Sequence, residues 1–319
     1  LGLAYDFDTL ATYAAWDLEI FREARPDVVV GDSRLSLPSS TALASLPFVN
    51  IVNAHWSPYA KTRFAVPDSG LSRWLGVGLA QAAFDLLRPW LFRAHAKDFN
   101  RMAERFGCQS LGRDLRAIYC HGDRTLYPDL PEVTPTHGRA PSHQYLGPLT
   151  WSPALPEPDF LALRRPGEPV VYVTMGTAAD DVLLPRILRV LSHLPVRVFA
   201  AAGSRIRVEG LGPRIHVAPF LPGATVCRIA DLVICNGGAG SAQQALQAGI
   251  PVLGIASRMD QLLHMQFVQR AGIGRLLRAQ SANDTVLLET IRAMLADRGL
   301  RANASALAGK VAEYNAGAI

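Results

Sequence analysis

The chain has 319 residues, 49% hydrophobic and 18% charged, with 32 Lys+Arg against 27 Asp+Glu and a formal net charge of +5. That length suits about two domains, and the apolar content excludes global disorder. The positive balance is too mild and too evenly spread for a nucleic-acid surface, but it suits anionic small ligands or an anionic membrane surface.

Arginine carries nearly all of the positive charge, since Lys61, Lys97 and Lys310 are the only lysines. Cys108, Cys120, Cys227 and Cys235 have neither metal-ligand spacing nor the density of a disulfide framework. Free thiols in a reducing compartment are expected, and with them a cytoplasmic location. No apolar run is long enough to span a bilayer. Residue 1 is Leu, and the chain opens inside what reads as a loop or helix. The expectation is that residues preceding it are missing.

The spacing predicts a helix over 10–24, ended by Pro26, then a buried strand at Val28–Val30 within Asp27–Gly31. A helix over 37–45 and a strand over 48–52 follow. Residues 53–59 (Asn-Ala-His-Trp-Ser-Pro-Tyr) form a loop. Residues 74–106 carry one long helical pattern, in which Gln81, Asp85 and Arg88 interrupt the apolar face. Arg93, Lys97, Arg101 and Arg105 then stack four apart. This basic and apolar combination admits peripheral membrane contact through 74–105; a solvated helix face explains it equally. Short strands and prolines fill 117–150, and Gly147-Pro-Leu-Thr-Trp151 opens a proline-rich stretch that marks the domain boundary.

The second half alternates strand and helix. Strands are predicted at 170–174, 196–201, 215–217, 232–235 and 252–255, and helices at 180–194, 241–248, 261–271, 284–297 and 300–314. Such alternation means a doubly wound parallel sheet, whose ligands sit at the carboxyl ends of the strands. Met175-Gly-Thr177, Phe220-Leu-Pro-Gly223, Asn236–Ser241 and Ser257–Gln261 all fall at that edge.

The run Asp231-Leu-Val-Ile-Cys-Asn-Gly-Gly-Ala-Gly-Ser241 is the most informative. It reads as a buried strand, a glycine turn and a helix start. Glycine lets a ligand approach the backbone closely, and the positive end of the helix suits a phosphate. A ligand-free turn would look much the same. The spacing is neither the dinucleotide fingerprint nor a Walker loop.

In this order the loops resemble those of the family 1 glycosyltransferases of the GT-B fold, in the bacterial branch that glycosylates natural products and lipids. The resemblance is carried by Val171–Thr177, Phe220–Pro222 through Cys235, Asn236–Ser241, Gln244-Ala-Leu246, Gly249-Ile-Pro-Val252 and Asp260-Gln261. It covers nearly all of 168–278. The first half is matched more loosely, through Pro26–Asp32 and Gly147–Trp151.

The resemblance implies an α/β fold of two Rossmann-like domains facing a cleft, the first incomplete. Residues 1–150 would bind the acceptor, 151–168 would link, and 169–319 would bind the donor. Phe220, Leu221 and Pro222 would hold the base. Asn236, Gly238, Gly240 and Ser241 would surround the diphosphate, with Thr177 beside the phosphate or sugar. Gln244 would reach the ribose, and Asp260 with Gln261 the sugar hydroxyls. Asp32 matches the carboxylate that orients a catalytic histidine, whose loop would precede residue 1. His55 and Trp56 are candidates for the acceptor pocket. The chain departs from the family where Asn236 replaces His, Gln244 replaces Glu and His264 replaces Asn.

The expected activity is inverting, metal-independent transfer of a hexose from a UDP- or dTDP-sugar to a hydroxyl of a lipophilic small molecule or lipid. The nucleotide-sugar is a substrate, and no cofactor or metal is expected. A base must take the acceptor proton. The apolar residues Trp56, Tyr59, Phe64, Trp74, Leu75, Phe84 and Trp90 favour a lipophilic acceptor, or simply form core. The alternative is a catalytically impaired nucleotide-sugar-binding protein or partner subunit. A sugar-nucleotide epimerase would need further acidic residues in the cleft.

Overall fold

The computed structural model describes residues 6–152, 154–176, 182–203, 210–311 and 313–314. It divides into two compact units. One is Leu1–Thr62 with Gly78–Gly147, and the other is Arg63–Val77 with Pro148–Ile319. Residues 63–77 lie in the first half of the sequence yet belong structurally to the second unit.

In chain order the elements begin with α1 (Phe7–Ala24), β1 (Val29–Asp32), α2 (Leu37–Ala44) and β2 (Phe48–Ile51). Then come α3 (Gly70–Trp74), α4 (Gly76–Arg105), α5 (Leu115–Tyr119), β3 (Arg124–Tyr127) and β4 (His143–Tyr145). Helix α3 and the first residues of α4 lie in the second unit; the other elements form the first.

The first unit holds a four-stranded parallel sheet in the order β1-β2-β3-β4. Helix α1 starts where Asp6 caps the Thr9 N–H at 2.9 Å and ends at Arg25 in the left-handed region (φ 47°). Leu10 and Ala14 pack with Phe99, Met102, Leu115 and Ile118. Asp17, also buried, accepts from Arg34 Nε (3.0 Å) and Nη2 (2.8 Å), Ser36 Oγ (2.6 Å) and Ser40 Oγ (3.0 Å). A carboxylate this buried is tolerable only because those donors satisfy it.

Two expectations change here. The strand at Val28–Val30 is not buried on both faces: Val29 is buried, but Val28 and Val30 are 48% and 59% exposed, although parallel sheets are ordinarily covered on both sides. The long helix expected over 74–106 is α4, continuous from Gly76 to Arg105, while Trp74 ends the separate short helix α3, divided from α4 where Gly76 takes φ 76°. Pro89 lies within α4. Of the basic ridge, Arg101 and Arg105 lie over the Phe7 ring at 4.6 and 5.7 Å from its centroid. Phe64 and Phe84 are core residues, whereas Trp74 and Trp90 are 83% and 69% exposed.

The second unit continues with β5 (Val170–Thr174), α6 (Leu183–Ser192), β6 (Arg197–Ala201), β7 (Ile215–Ala218), α7 (Gly223–Ile229) and β8 (Leu232–Cys235). It ends with α8 (Ala239–Gln247), β9 (Val252–Ala256), α9 (Met259–Arg270), β10 (Gly274–Arg278), α10 (Asp284–Ala296) and α11 (Arg298–Val311). All six strands are parallel, in the order β10-β9-β8-β5-β6-β7. Strands β5, β8 and β9 read as continuous apolar runs because both faces are covered. Val171, Val173, Val198, Ile234 and Leu253 pack there with Leu184, Ile187 and Leu188 of α6 and Leu287 and Ile291 of α10. Strand β10 adds an edge absent from the sequence reading.

Candidate functional site

The strand order reverses between β5 and β8: the chain builds β5-β6-β7 on one side and β8-β9-β10 on the other. In open α/β sheets, ligands bind at the carboxyl ends of the strands beside such a reversal. Two loops emerge here, Met175-Gly176 after β5 and Asn236-Gly237-Gly238 after β8.

Asn236 joins them. Its Nδ2 donates to the Met175 carbonyl at 3.0 Å, and its Oδ1 accepts the Gly238 N–H at 3.0 Å. Gly176 is left-handed (φ 70°), and a Cβ there would lie 3.1 Å from Asn236 Nδ2. The amide that stands in place of the family's histidine thus braces the two loops. Gly237 has φ 81°, and its N–H donates to Cys235 Sγ at 3.3 Å. Burial pushes the Cys235 thiol up to about 11, so it stays neutral beside the loop. Gly238 precedes α8, whose first turn holds Gly240 and Ser241. Gly240 is exposed, with nothing within 4 Å of a Cβ placed on it.

Gln244, on α8, donates through Nε2 to the carbonyl of Trp151, and Gly223 makes room for its amide. Thr150 Oγ1 donates to Gln247 Oε1 at 2.7 Å and the Ala224 N–H donates to Ser152 Oγ at 3.4 Å, so residues 150–152 are laid along α7 and α8. A carboxylate at 244 could not donate to a carbonyl, which gives this departure a physical reason. The ribose role expected of Gln244 would require its amide to leave or share that bond. Phe220 is 59% exposed, whereas Leu221 and Pro222 are buried at the start of α7.

After β9, Gln261 is buried and accepts through Oε1 from the Ser257 and Arg258 N–H groups, both at 3.2 Å. Asp260 is exposed in the first turn of α9, with no hydrogen bond or ion pair among the described residues. His264 is buried one turn on, its Nδ1 3.0 Å from the Gly237 carbonyl. Helix α9 is thereby tied to the glycine loop, a link the sequence reading did not assign.

Thr177 lies outside the described residues. In the first unit, Asp32 is exposed at the carboxyl end of β1. His55 is 3% exposed. Trp56 is half-buried, its ring edge-on to Tyr119 at 5.1 Å. A cavity of about 760 Å³ opens at the amino-terminal edge of the second sheet, lined by Pro169, Leu194, Val196 and Arg214 among others. It includes none of the predicted site residues. Among the described residues no group of His, Cys, Asp and Glu is arranged to hold a metal ion.

The chain is 40% identical over 306 residues to a PGL/p-HBAD biosynthesis glycosyltransferase of Mycobacterium tuberculosis, an alignment covering 96% of this chain and 72% of that protein. The chain belongs to the GT-B glycosyltransferases of this family. Residues 178–315 of the glycosyltransferase match the family "Erythromycin biosynthesis protein CIII-like, C-terminal domain". It is 43% identical over 279 residues to a PGL/p-HBAD biosynthesis rhamnosyltransferase of Mycobacterium bovis, covering 88% of this chain and spanning 62% of that relative's length. In fold it matches the spinosyn rhamnosyltransferase SpnG complexed with thymidine diphosphate. The TM-score there is 0.71 at 20% identity, covering 96% of this chain and 76% of SpnG.

Proposed function

We propose that this glycosyltransferase moves a hexose from a UDP- or dTDP-sugar to a hydroxyl of an apolar acceptor, with inversion and without a metal. The observation that carries the reading is the pair of loops braced by Asn236 at the β5/β8 reversal, with the start of α8 directly after them. Backbone amides and the positive end of α8 are suited to a leaving diphosphate. Gly238, Gly240 and Ser241 would line the diphosphate, and Thr177 would stand next to it. Phe220 offers an exposed ring to the base. Gln244 would serve the ribose, and Asp260 with Gln261 the sugar. The mycobacterial rhamnosyltransferase and the thymidine diphosphate complex of SpnG favour a dTDP-deoxyhexose over a UDP-hexose.

The second unit would be the donor-binding domain and the first the acceptor-binding domain, with Asp32 orienting the base. Helix α4 leaves Leu79, Leu86, Leu87 and Trp90 exposed, with Arg93 and Lys97 following. This face suits an anionic lipid surface and a lipid-like acceptor. Among the described residues no helix is long and apolar enough to cross a membrane. We assign the enzyme to the cytoplasmic side.

A second reading is a protein that binds nucleotide-sugar without turnover. It is favoured by Asn236, Gln244 and Gln261 all directing polar atoms to internal partners. Titration calorimetry and nucleotide release with dTDP- and UDP-hexoses, with Asp260→Ala as control, separate the readings. Binding with turnover supports the enzyme, and binding alone supports the second. No binding refutes both.

A further inference from the structure

Residues 63–77 lie against the second unit at the loop that leads into Asp260 and Gln261. Ser257, the first residue of that loop, is held at both of its backbone polar groups. Its N–H donates to Gln261 Oε1 at 3.2 Å, and its carbonyl accepts the Asp68 N–H at 2.8 Å. Asp68 is itself fixed, its side chain only 4% exposed. Arg278 Nη2 approaches its Oδ1 at 2.8 Å and Nε at 3.0 Å, while Oδ2 accepts the Gln280 N–H at 2.9 Å. Arg278 also donates to the Val66 carbonyl, and Ser72 Oγ donates to Gln280 Oε1 at 3.1 Å. Beneath these bonds Ala65 packs on Ala256 and Leu262, the end of β9 and the first turns of α9.

Apolar contact at Ala65 would be enough to cover this edge. A buried ion pair adds little net stability over apolar side chains of similar volume, but it specifies geometry through directed bonds. The bonds here converge on one peptide carbonyl, that of Ser257. Register pairs Arg278 with Ala256, so the anchoring guanidinium stands beside the residue before the loop.

We propose that Asp68 is a positioning residue that holds the Ser257–Gln261 loop at the height needed for the donor sugar. This rests on reading Asp260 and Gln261 as sugar contacts. The pair acts first on the sugar half of the donor, because the diphosphate loop has two braces of its own, Asn236 to Met175 and Gly238 and His264 to the Gly237 carbonyl one turn further along α9.

The test compares wild type, Asp68→Asn and the milder Ser72→Ala by hydrogen exchange across 257–261. Titration calorimetry then compares dTDP with dTDP-glucose, and UDP with UDP-glucose. In Asp68→Asn, exchange at 257–261 should rise about tenfold. Affinity for the preferred sugar nucleotide should fall about tenfold, with that for the free diphosphate unchanged. Ser72→Ala should move the same readouts less. Unchanged exchange, or an equal loss for both ligands, overturns the proposal. If Asp68→Asn does not fold, unchanged exchange in Ser72→Ala overturns it. A wild type that binds sugar nucleotide no better than free diphosphate refutes the sugar assignment of Asp260 and Gln261, and the donor-positioning role of Asp68 with it. Exchange then still decides whether residues 63–77 hold the loop.

Discussion

Replacing Gly237 by Ala tests the glycine loop most directly. Gly237 sits at φ 81°, where an L-residue costs about 1 kcal/mol. The added Cβ would lie 2.8 Å from Met265 Cγ and 3.3 Å from Ala256 Cβ, both buried. Met265 can give by rotation but Ala256 cannot, so overpacking adds about 2 kcal/mol. The sum, about 3 kcal/mol, lowers the melting temperature of a unit this size by about 6–12 °C. Gly240 is the internal control, three residues on in the same motif. It is not left-handed and meets nothing within 4 Å, so Gly240→Ala should leave stability unchanged or raise it by about 0.5 kcal/mol. If the diphosphate approaches the backbone there, the same methyl group should weaken dTDP binding about tenfold or more. Scanning calorimetry and ligand titration read both. A Gly237→Ala protein melting within about 1 °C of wild type, or equal destabilisation by both substitutions, would refute the reasoning.

Other outcomes follow from the same geometry. Asp17→Ala removes the acceptor for Arg34, Ser36 and Ser40; because Arg34 keeps 37% of its side chain exposed, the loss should be about 3 kcal/mol, read by urea unfolding of the first unit. Gln244→Glu replaces a donor to the Trp151 carbonyl by an acceptor, at about 1 kcal/mol, and should speed proteolytic cleavage within 151–168. Burial holds His95 and His143 below the ordinary value of 6.5. The unfolded chain therefore takes up protons first, so stability is full above pH 6.5 and declines as the pH falls below it. Thermal melts of the first unit from pH 7.5 to 5 should show that decline; a flat profile would contradict it.

The second unit was legible because its central strands are buried on both faces, so that Val170–Thr174, Leu232–Cys235 and Val252–Ala256 stand out as unbroken apolar runs. Strand β10 was not: Arg275 and Arg278 flank its only apolar pair, Leu276 and Leu277, as an edge permits. At β1 the same apolar signal misled, since Val28 and Val30 lie on an uncovered face that sequence cannot distinguish from a covered one. The short helix α3, ending at Trp74 just ahead of the long helix, was also missed. The glycine loop was visible as local chemistry. Its braces were not, because Asn236 reaches Met175 across 61 residues and Gln244 reaches Trp151 across 93. Nor could any local pattern show that Asp68 finds Arg278, 210 positions away.

The reversal in strand order also bears on how the second unit comes into being. Strands β5 and β6, β6 and β7, β8 and β9, and β9 and β10 pair across short intervals of chain, but β5 must wait for β8, 61 residues later. Closing that interval is the largest loop-entropy expense in the sheet, and non-local parallel pairing is slow. On the ribosome, β5-β6-β7 would emerge as a three-strand fragment with the β8-facing edge of β5 unpaired until Cys235 has been made. The seam proposed to receive the donor is thus also the joint at which the sheet is completed. A nucleotide bound there would act as a clasp on the finished unit rather than a template for its early strands.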